Sequence, residues 1–172
     1  MGKGEEGQQE RKGSPWYAKP LLPIVTSRIG ASFFRKWMHR VDVPLLRLTG
    51  GRVSFASAYP VLLLTTTGAK SGKERTVPLL YVDWEGGFGV IGTRFGSQQH
   101  PGWYHNLRKK PEAVVEIKGK RCECTARETD GDERVEIWKA ASQMYEGYDV
   151  YAPRAKRKVP VLVLTPKAGD VS

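Results

Sequence analysis

The chain has 172 residues, which suits one domain with a sizeable core plus a tail, and 40% hydrophobic content with five tryptophans argues for a folded protein. Its 28 Lys+Arg against 18 Asp+Glu give a net charge of +10, spread unevenly: residues 21–60 carry six basic residues and one acid, residues 151–172 five and one, residues 131–150 two and five. A uniformly basic nucleic-acid-binding face is not implied, and small polyanions and anionic lipid head groups are the other partners such charge attracts.

Residues 1–14 are rich in Gly, Gln and charge and read as a disordered tail. Residues 15–50 form an N-terminal helical segment. From about Ile24 to Val41, Val25, Ile29, Phe33 and Trp37 recur every four residues, with Arg28, Arg35, Lys36, His39 and Arg40 on the other side. That helix packs on its own domain or lies, through residues 21–48, on an anionic membrane surface. Pro44 interrupts it and Gly50-Gly51 breaks the chain again. Residues 51–167 make the main domain, and residues 168–172 a second tail.

Within residues 61–80 a buried strand (Val61, Leu62, Leu63, Leu64, three threonines) turns at Gly68–Gly72 and returns through Val77, Leu79 and Leu80. The glycines permit φ > 0 and leave backbone N–H groups uncovered. Lys70, Ser71, Lys73 and Arg75 therefore collect at a hairpin tip suited to an anion, or form an ordinary solvated turn. It is not a P-loop, because the spacing from Gly68 to Gly72-Lys73 is one residue short and Glu74 stands where Ser or Thr should be.

Trp84-Glu85-Gly86-Gly87 is a turn, and residues 88–93 a strand thinned by glycines, as where a ligand or another backbone comes close. A loop at residues 94–99 leads to a short helix at residues 100–107, with Pro101 near its start. Residues 113–118 and 121–127 form a second hairpin around Gly119-Lys120. Asp130 with Glu133 caps a helix whose apolar stripe is Val135, Trp138, Ala141 and Tyr145. Tyr145–Lys158 is aromatic and basic, with Glu146-Gly147 and Asp149 loop-like, and residues 159–165 are the last strand. The fold class is α+β: about five to seven mostly antiparallel strands with two or three helices. Cys122 and Cys124, on one strand face, read as reduced thiols. With no apolar run of ~20 residues and no signal-peptide core, the expected location is cytoplasmic, peripheral on the inner membrane face if the helix binds lipid.

The phrase Leu62-Leu63-Leu64-Thr65-Thr66-Thr67-Gly68-x-Lys70-Ser71-Gly72-x-x-Arg75-x-x-Pro78-Leu79 resembles the deazaflavin-dependent nitroreductase family, split β-barrel proteins that use coenzyme F-420. Further matches follow in order: His100-Pro101-x-Trp103-x-x-Asn106-Leu107, Pro111, and Val159-Pro160-Val161-x-Val163-Leu164-Thr165-Pro166. Upstream, Leu46-x-Leu48-Thr49-Gly50-Gly51-Arg52 is similar too.

The resemblance implies a split barrel with an anionic deazaflavin in a groove beside the sheet. Lys70, Ser71, Lys73 and Arg75 would hold its phosphate and tail carboxylates, with Gly72 in the turn. Thr66, Gly68 and Pro78 would shape the groove, and Gly92, Thr93 and Arg94 would let the ring system approach. Asn106 would bond the cofactor or brace the pocket, and Trp103 would pack beneath it or in the core. Tyr145, Tyr148 and Tyr151 would cover the acceptor, and Tyr148, Tyr151 or solvent would supply the proton. The implied reaction is hydride transfer to a small-molecule acceptor such as a quinone, activated enone or nitroaromatic. Alternatives are an FMN-dependent enzyme of the same fold, or a non-enzymatic module on a membrane surface or nucleic acid. Nucleic acid is not expected, since the chain offers no interleaved basic and aromatic RNA motif and no helix-turn-helix. The oligomeric state stays open.

Overall fold

The fold is built outward from the leucine run. Strand β1 (Val61–Thr67) buries Leu62, Leu63, Leu64 and Thr66, because it lies between two neighbours, β2 (Glu74–Trp84) and β4 (Glu112–Ile117). Strands β3 (Gly87–Ile91), β5 (Lys120–Glu128) and β6 (Val161–Pro166) complete a closed antiparallel barrel in the order β1-β2-β3-β6-β5-β4. The coordinates are a computed structural model that describes residues 59–167. The expected 1–14 tail, the helical segment 15–50 with its proposed membrane contact, and the tail 168–172 lie outside the described residues. Three α-helices lie within them: α1 (Gly102–Lys109), α2 (Gly131–Met144) and α3 (Gly147–Ala155). Six strands and three helices match the α+β split barrel expected from the sequence.

Strand β2 is longer than its second neighbour. Its residues 74–80 pair with β1, whereas β3 pairs only with residues 81–84. Over residues 74–80 β2 has no second strand partner among the described residues. Pro78, opposite Leu63, falls in this stretch. A proline offers no N–H, so an open strand edge is where it does least harm.

The alternation of β6 separates two cores. Leu162 and Leu164 join Leu62, Leu64, Val90, Val115 and Cys124, which α1 covers with Trp103 and Leu107. Val161 and Val163 point the other way, to Ile91 and to Ile137, Ala141 and Tyr148 of the outer helices. Trp103 is therefore a core residue.

Some expectations need correction. The strand expected over residues 88–93 ends at Ile91, where the Gly92 N–H bonds Pro160 O at 2.9 Å and the chain turns away. Asp130 stands at the N-cap of α2 without a side-chain cap bond. Glu133 instead accepts from Trp84 Nε1 at 3.1 Å and from both Arg127 Nη atoms at 2.6 Å, tying α2 to the barrel. Of the expected α2 stripe, Ala141 is buried and Trp138 and Tyr145 pack against the same core, but Val135 is 59% exposed and Ile137, outside the stripe, is fully buried. Gly147 and Asp149, expected to be loop-like, lie in a helix over Gly147–Ala155, with Pro153 inside and left-handed Lys156 ending it.

Candidate functional site

The hairpin tip is closed by its own backbone. Gly68 N–H bonds Lys73 O, and Gly72 N–H bonds Gly68 O, both at 2.8 Å. The two glycines serve different needs. Gly72 sits at φ +67, whereas a Cβ at Gly68 would meet Ser71 Oγ at 2.7 Å and Lys73 O at 3.0 Å. These bonds leave the N–H groups of Lys70 and Ser71 uncommitted among the described residues. Lys70, Ser71, Lys73 and Arg75 are exposed, and none of the three cations pairs with a carboxylate among the described residues. Uncompensated charge beside free N–H groups is the character of an anion nest.

The tip does not float. Asn106, buried on α1, accepts from Ala69 N–H at 2.9 Å and donates from Nδ2 to buried Thr66 Oγ1 at 3.0 Å. Lys109, one helical turn on, donates to Ala69 O at 2.7 Å. Thr65 and Thr76 share a hydroxyl bond of 2.8 Å across the strands. The turn is thus fixed at both the N–H and the C=O of Ala69. Asn106 braces the tip, one of the two roles open to it in the sequence, while the sequence reading passed over Lys109. The i, i+3 spacing from Asn106 was its one signal.

A second group gathers at the other end of the β1–β2 ladder. Tyr59 packs edge-on against Tyr145 at 5.3 Å, and Tyr145 against Tyr148 at 5.6 Å. The hydroxyls of Tyr145 and Tyr151 lie 3.2 Å apart. Burial, the largest cause, pushes all three phenols up, Tyr145 and Tyr148 far above the ordinary tyrosine range, so they stay protonated donors. The Tyr148 hydroxyl has no hydrogen-bond partner among the described residues. Asp149 accepts from Trp138 Nε1 and Ser142 Oγ at 2.9 and 2.8 Å, which holds α3 against α2.

Facing these tyrosines is the turn after β3. Gly92 is buried where a Cβ would meet Pro160 Cγ at 2.7 Å, so its smallness serves protein packing. Thr93 is buried too, and Arg94 Nη1 donates to Gln99 Oε1 and His100 O, each at 3.0 Å. Arg94, Phe95 and Gly96 all have positive φ, of 49, 55 and 76. Two adjacent non-glycine residues there cost about 1–2 kcal/mol each, and such strain gathers at functional sites. Phe95 packs edge-on against Tyr151 at 5.8 Å. Arg157, absent from the sequence reading, holds this turn.

The structure therefore brings the expected residues together in two groups. Thr66, Gly68, Lys70, Ser71, Gly72, Lys73, Arg75 and Asn106 form the tip. Thr93, Arg94, Tyr145, Tyr148 and Tyr151 form the other end. The ladder from Val61↔Leu80 to Thr67↔Glu74 separates them by ~20 Å at strand rise, with Pro78 on the open edge between. Trp103 belongs to neither group.

A family model described as F420H(2)-dependent quinone reductase matches residues 37–166. A Mycobacterium tuberculosis protein named as an F420H(2)-dependent quinone reductase is 34% identical over 143 residues, covering 76% of this chain and 96% of its own. A solved structure of an F420-H2 dependent reductase is 40% identical, with a TM-score of 0.57 over 61% of this chain and 93% of that one. Another, described as a domain-swapped dimer, is 34% identical, with a TM-score of 0.58 over 75% and 97%.

Proposed function

The chain belongs to the F420H(2)-dependent quinone reductase family, and from that premise we propose that it reduces quinones and activated enones, with nitroaromatics as a side activity. The observation that carries the reading is the hairpin tip: three exposed cations without carboxylates among the described residues, two free N–H groups, and a brace that holds them in place. Such a tip fits a cofactor that bears a phosphate and several carboxylates. FMN offers a single phosphate and uses that charge less fully, and the non-enzymatic readings give way to the family.

When bound, reduced coenzyme F-420 supplies the hydride. Lys70, Lys73 and Arg75, with the N–H groups of Lys70 and Ser71, hold the anionic end. Thr66 and Asn106 keep the tip from relaxing, while Pro78, Thr93 and Arg94 line the path toward the tyrosines. Tyr145, Tyr148 and Tyr151 exclude water from the acceptor. A hydride leaves the acceptor with an extra electron pair, and the Tyr148 hydroxyl, protonated and without a partner among the described residues, would relay to it a proton that solvent replaces.

We also propose that the protein works in a reducing compartment, peripheral on an anionic membrane surface through residues 21–48. The uneven basic charge supports that placement. No helix among the described residues is long and apolar enough to cross a membrane.

The test is fluorescence titration with coenzyme F-420, for the wild type and for Lys70→Ala with Arg75→Ala. Losing two charge-assisted contacts is expected to weaken binding by about tenfold or more. Binding of FMN but not F-420 by the wild type sinks the assignment.

A further inference from the structure

Arg157 follows α3 and faces the turn after β3, about sixty residues away in sequence. Its Nε donates to Ser97 O at 3.1 Å. Its Nη2 donates to Gly92 O at 3.0 Å and Thr93 O at 3.2 Å. Its Nη1 reaches His100 Nδ1 at 3.2 Å and Lys158 O at 3.4 Å. A guanidinium has five N–H donors and no acceptor. All five are therefore engaged, four of them on residues 92–100, with His100 Nδ1 as acceptor. No carboxylate pairs with Arg157 among the described residues, so its work is the gathering of carbonyls.

The gathered carbonyls flank a strained reversal. Arg94, Phe95 and Gly96 take left-handed φ in succession, and only Gly96 does so freely. Inside the turn, Gly96 N–H returns to Thr93 O and Ser97 N–H to Arg94 O, both at 3.1 Å. The N–H groups of Thr93, Arg94 and Phe95 have no acceptor among the described residues. Outside the turn, Arg157 is the side chain that ties its entry (Gly92, Thr93) to its exit (Ser97).

We propose that Arg157 is a positioning residue: by collecting the carbonyls on both sides of the turn, it holds Thr93, Arg94 and their free N–H groups against the tyrosine end of the site. This rests on the reductase reading above, with the anion-holding tip ~20 Å along the ladder. Because the anion-holding tip supplies most of the cofactor's affinity, loss of Arg157 is expected to misplace the reacting end and lower kcat more than it weakens cofactor binding. Lysine cannot replace it, because a point ammonium with three donors cannot span the carbonyls that the planar fork spans.

The experiment compares wild type, Arg157→Lys and Arg157→Ala by three readouts. Amide hydrogen exchange without cofactor is expected to quicken at Gly96 and Ser97, the bonded amides of the turn, in Arg157→Lys, with β1 and β2 unchanged. With reduced coenzyme F-420 and a soluble quinone, kcat is expected to fall about tenfold in both variants. The Kd of the cofactor should stay within about threefold. Millimolar guanidinium should restore part of the kcat of Arg157→Ala but not of Arg157→Lys, whose side chain fills the space. Unchanged exchange in Arg157→Lys overturns the proposal, as does a Kd that worsens in step with kcat. A wild type inactive with the reduced coenzyme counts against the reductase reading alone, since the exchange result stands without it.

Discussion

Asn106 makes two bonds that no apolar residue could replace, and both serve a turn rather than a ligand. Its Oδ1 takes the Ala69 N–H and its Nδ2 gives to Thr66, within a buried setting where each unpaired group costs about 1–3 kcal/mol. Asn106→Asp keeps the shape and the Ala69 acceptor, and the Thr66 hydroxyl can rotate to donate. It also places a negative charge against a tip that is to hold anions. F-420 affinity is therefore expected to fall about tenfold or more while the urea midpoint shifts little. Equal loss of both would make Asn106 a purely structural residue.

Tyr148 carries the other prediction at this scale. Burial raises its folded pKa above the ordinary tyrosine value of about 10. Above about pH 10 the unfolded chain releases a proton that the folded chain keeps, so the stability this group supports is present below that pH and is lost as pH rises. Tyr148→Phe is expected to lessen the alkaline loss of stability in thermal melts from pH 8 to 11. If the phenol donates the proton, kcat also falls while F-420 binding is kept. A full kcat in the variant assigns the proton to Tyr151 or to solvent.

At the scale of elements, legibility tracks how local the determining contacts are. The β1–β2 hairpin was readable because its strands, glycines and cations are contiguous and its pairing needs no distant partner. Gly68 and Gly72 were both readable as turn residues, but only the fold separates the need for left-handed φ from the need for a missing Cβ. In α2 the expected stripe found Ala141 but ran through Val135, whereas the barrel meets the helix at Ile137 as well as Ala141. Helix α3 was hidden by Gly147 and Pro153, and its burial comes from α2 and from the turn at residues 94–96. The Arg157 bonds had no sequence signal, since their acceptors are backbone carbonyls far up the chain. The contrast in α2 can be measured. Ile137→Ala is expected to cost about 2–5 kcal/mol in urea unfolding. Val135→Lys is expected to stay within about 0.5 kcal/mol. Similar effects in both would return the stripe to its sequence-based position.

At the scale of the molecule, the site has two ends and the charge follows one of them. The tip is the end proposed to draw anions, and Lys109 in the last turn of α1 adds a cation where it donates to Ala69 O. Residues 21–60 add six basic residues against one acid. Apolar quinones partition into bilayers, so a reductase on an anionic surface meets them at high local concentration. Each Lys or Arg near such a surface is worth about 1 kcal/mol, and the attraction fades within a Debye length of about 8 Å at physiological salt. The full chain is therefore expected to sediment with vesicles containing anionic phospholipid, weakly with neutral ones, and to be released by ~0.5 M salt as the Debye length shrinks. Reversing Arg28, Arg35 and Lys36 to Glu should abolish sedimentation and leave turnover of a water-soluble quinone unchanged, because the hairpin tip is untouched. If those reversals leave vesicle binding intact while Lys70→Ala with Arg75→Ala removes it, the lipid is competing for the cofactor's own anion site. The membrane role of residues 21–48 then fails, and added F-420 should displace the protein from the vesicles.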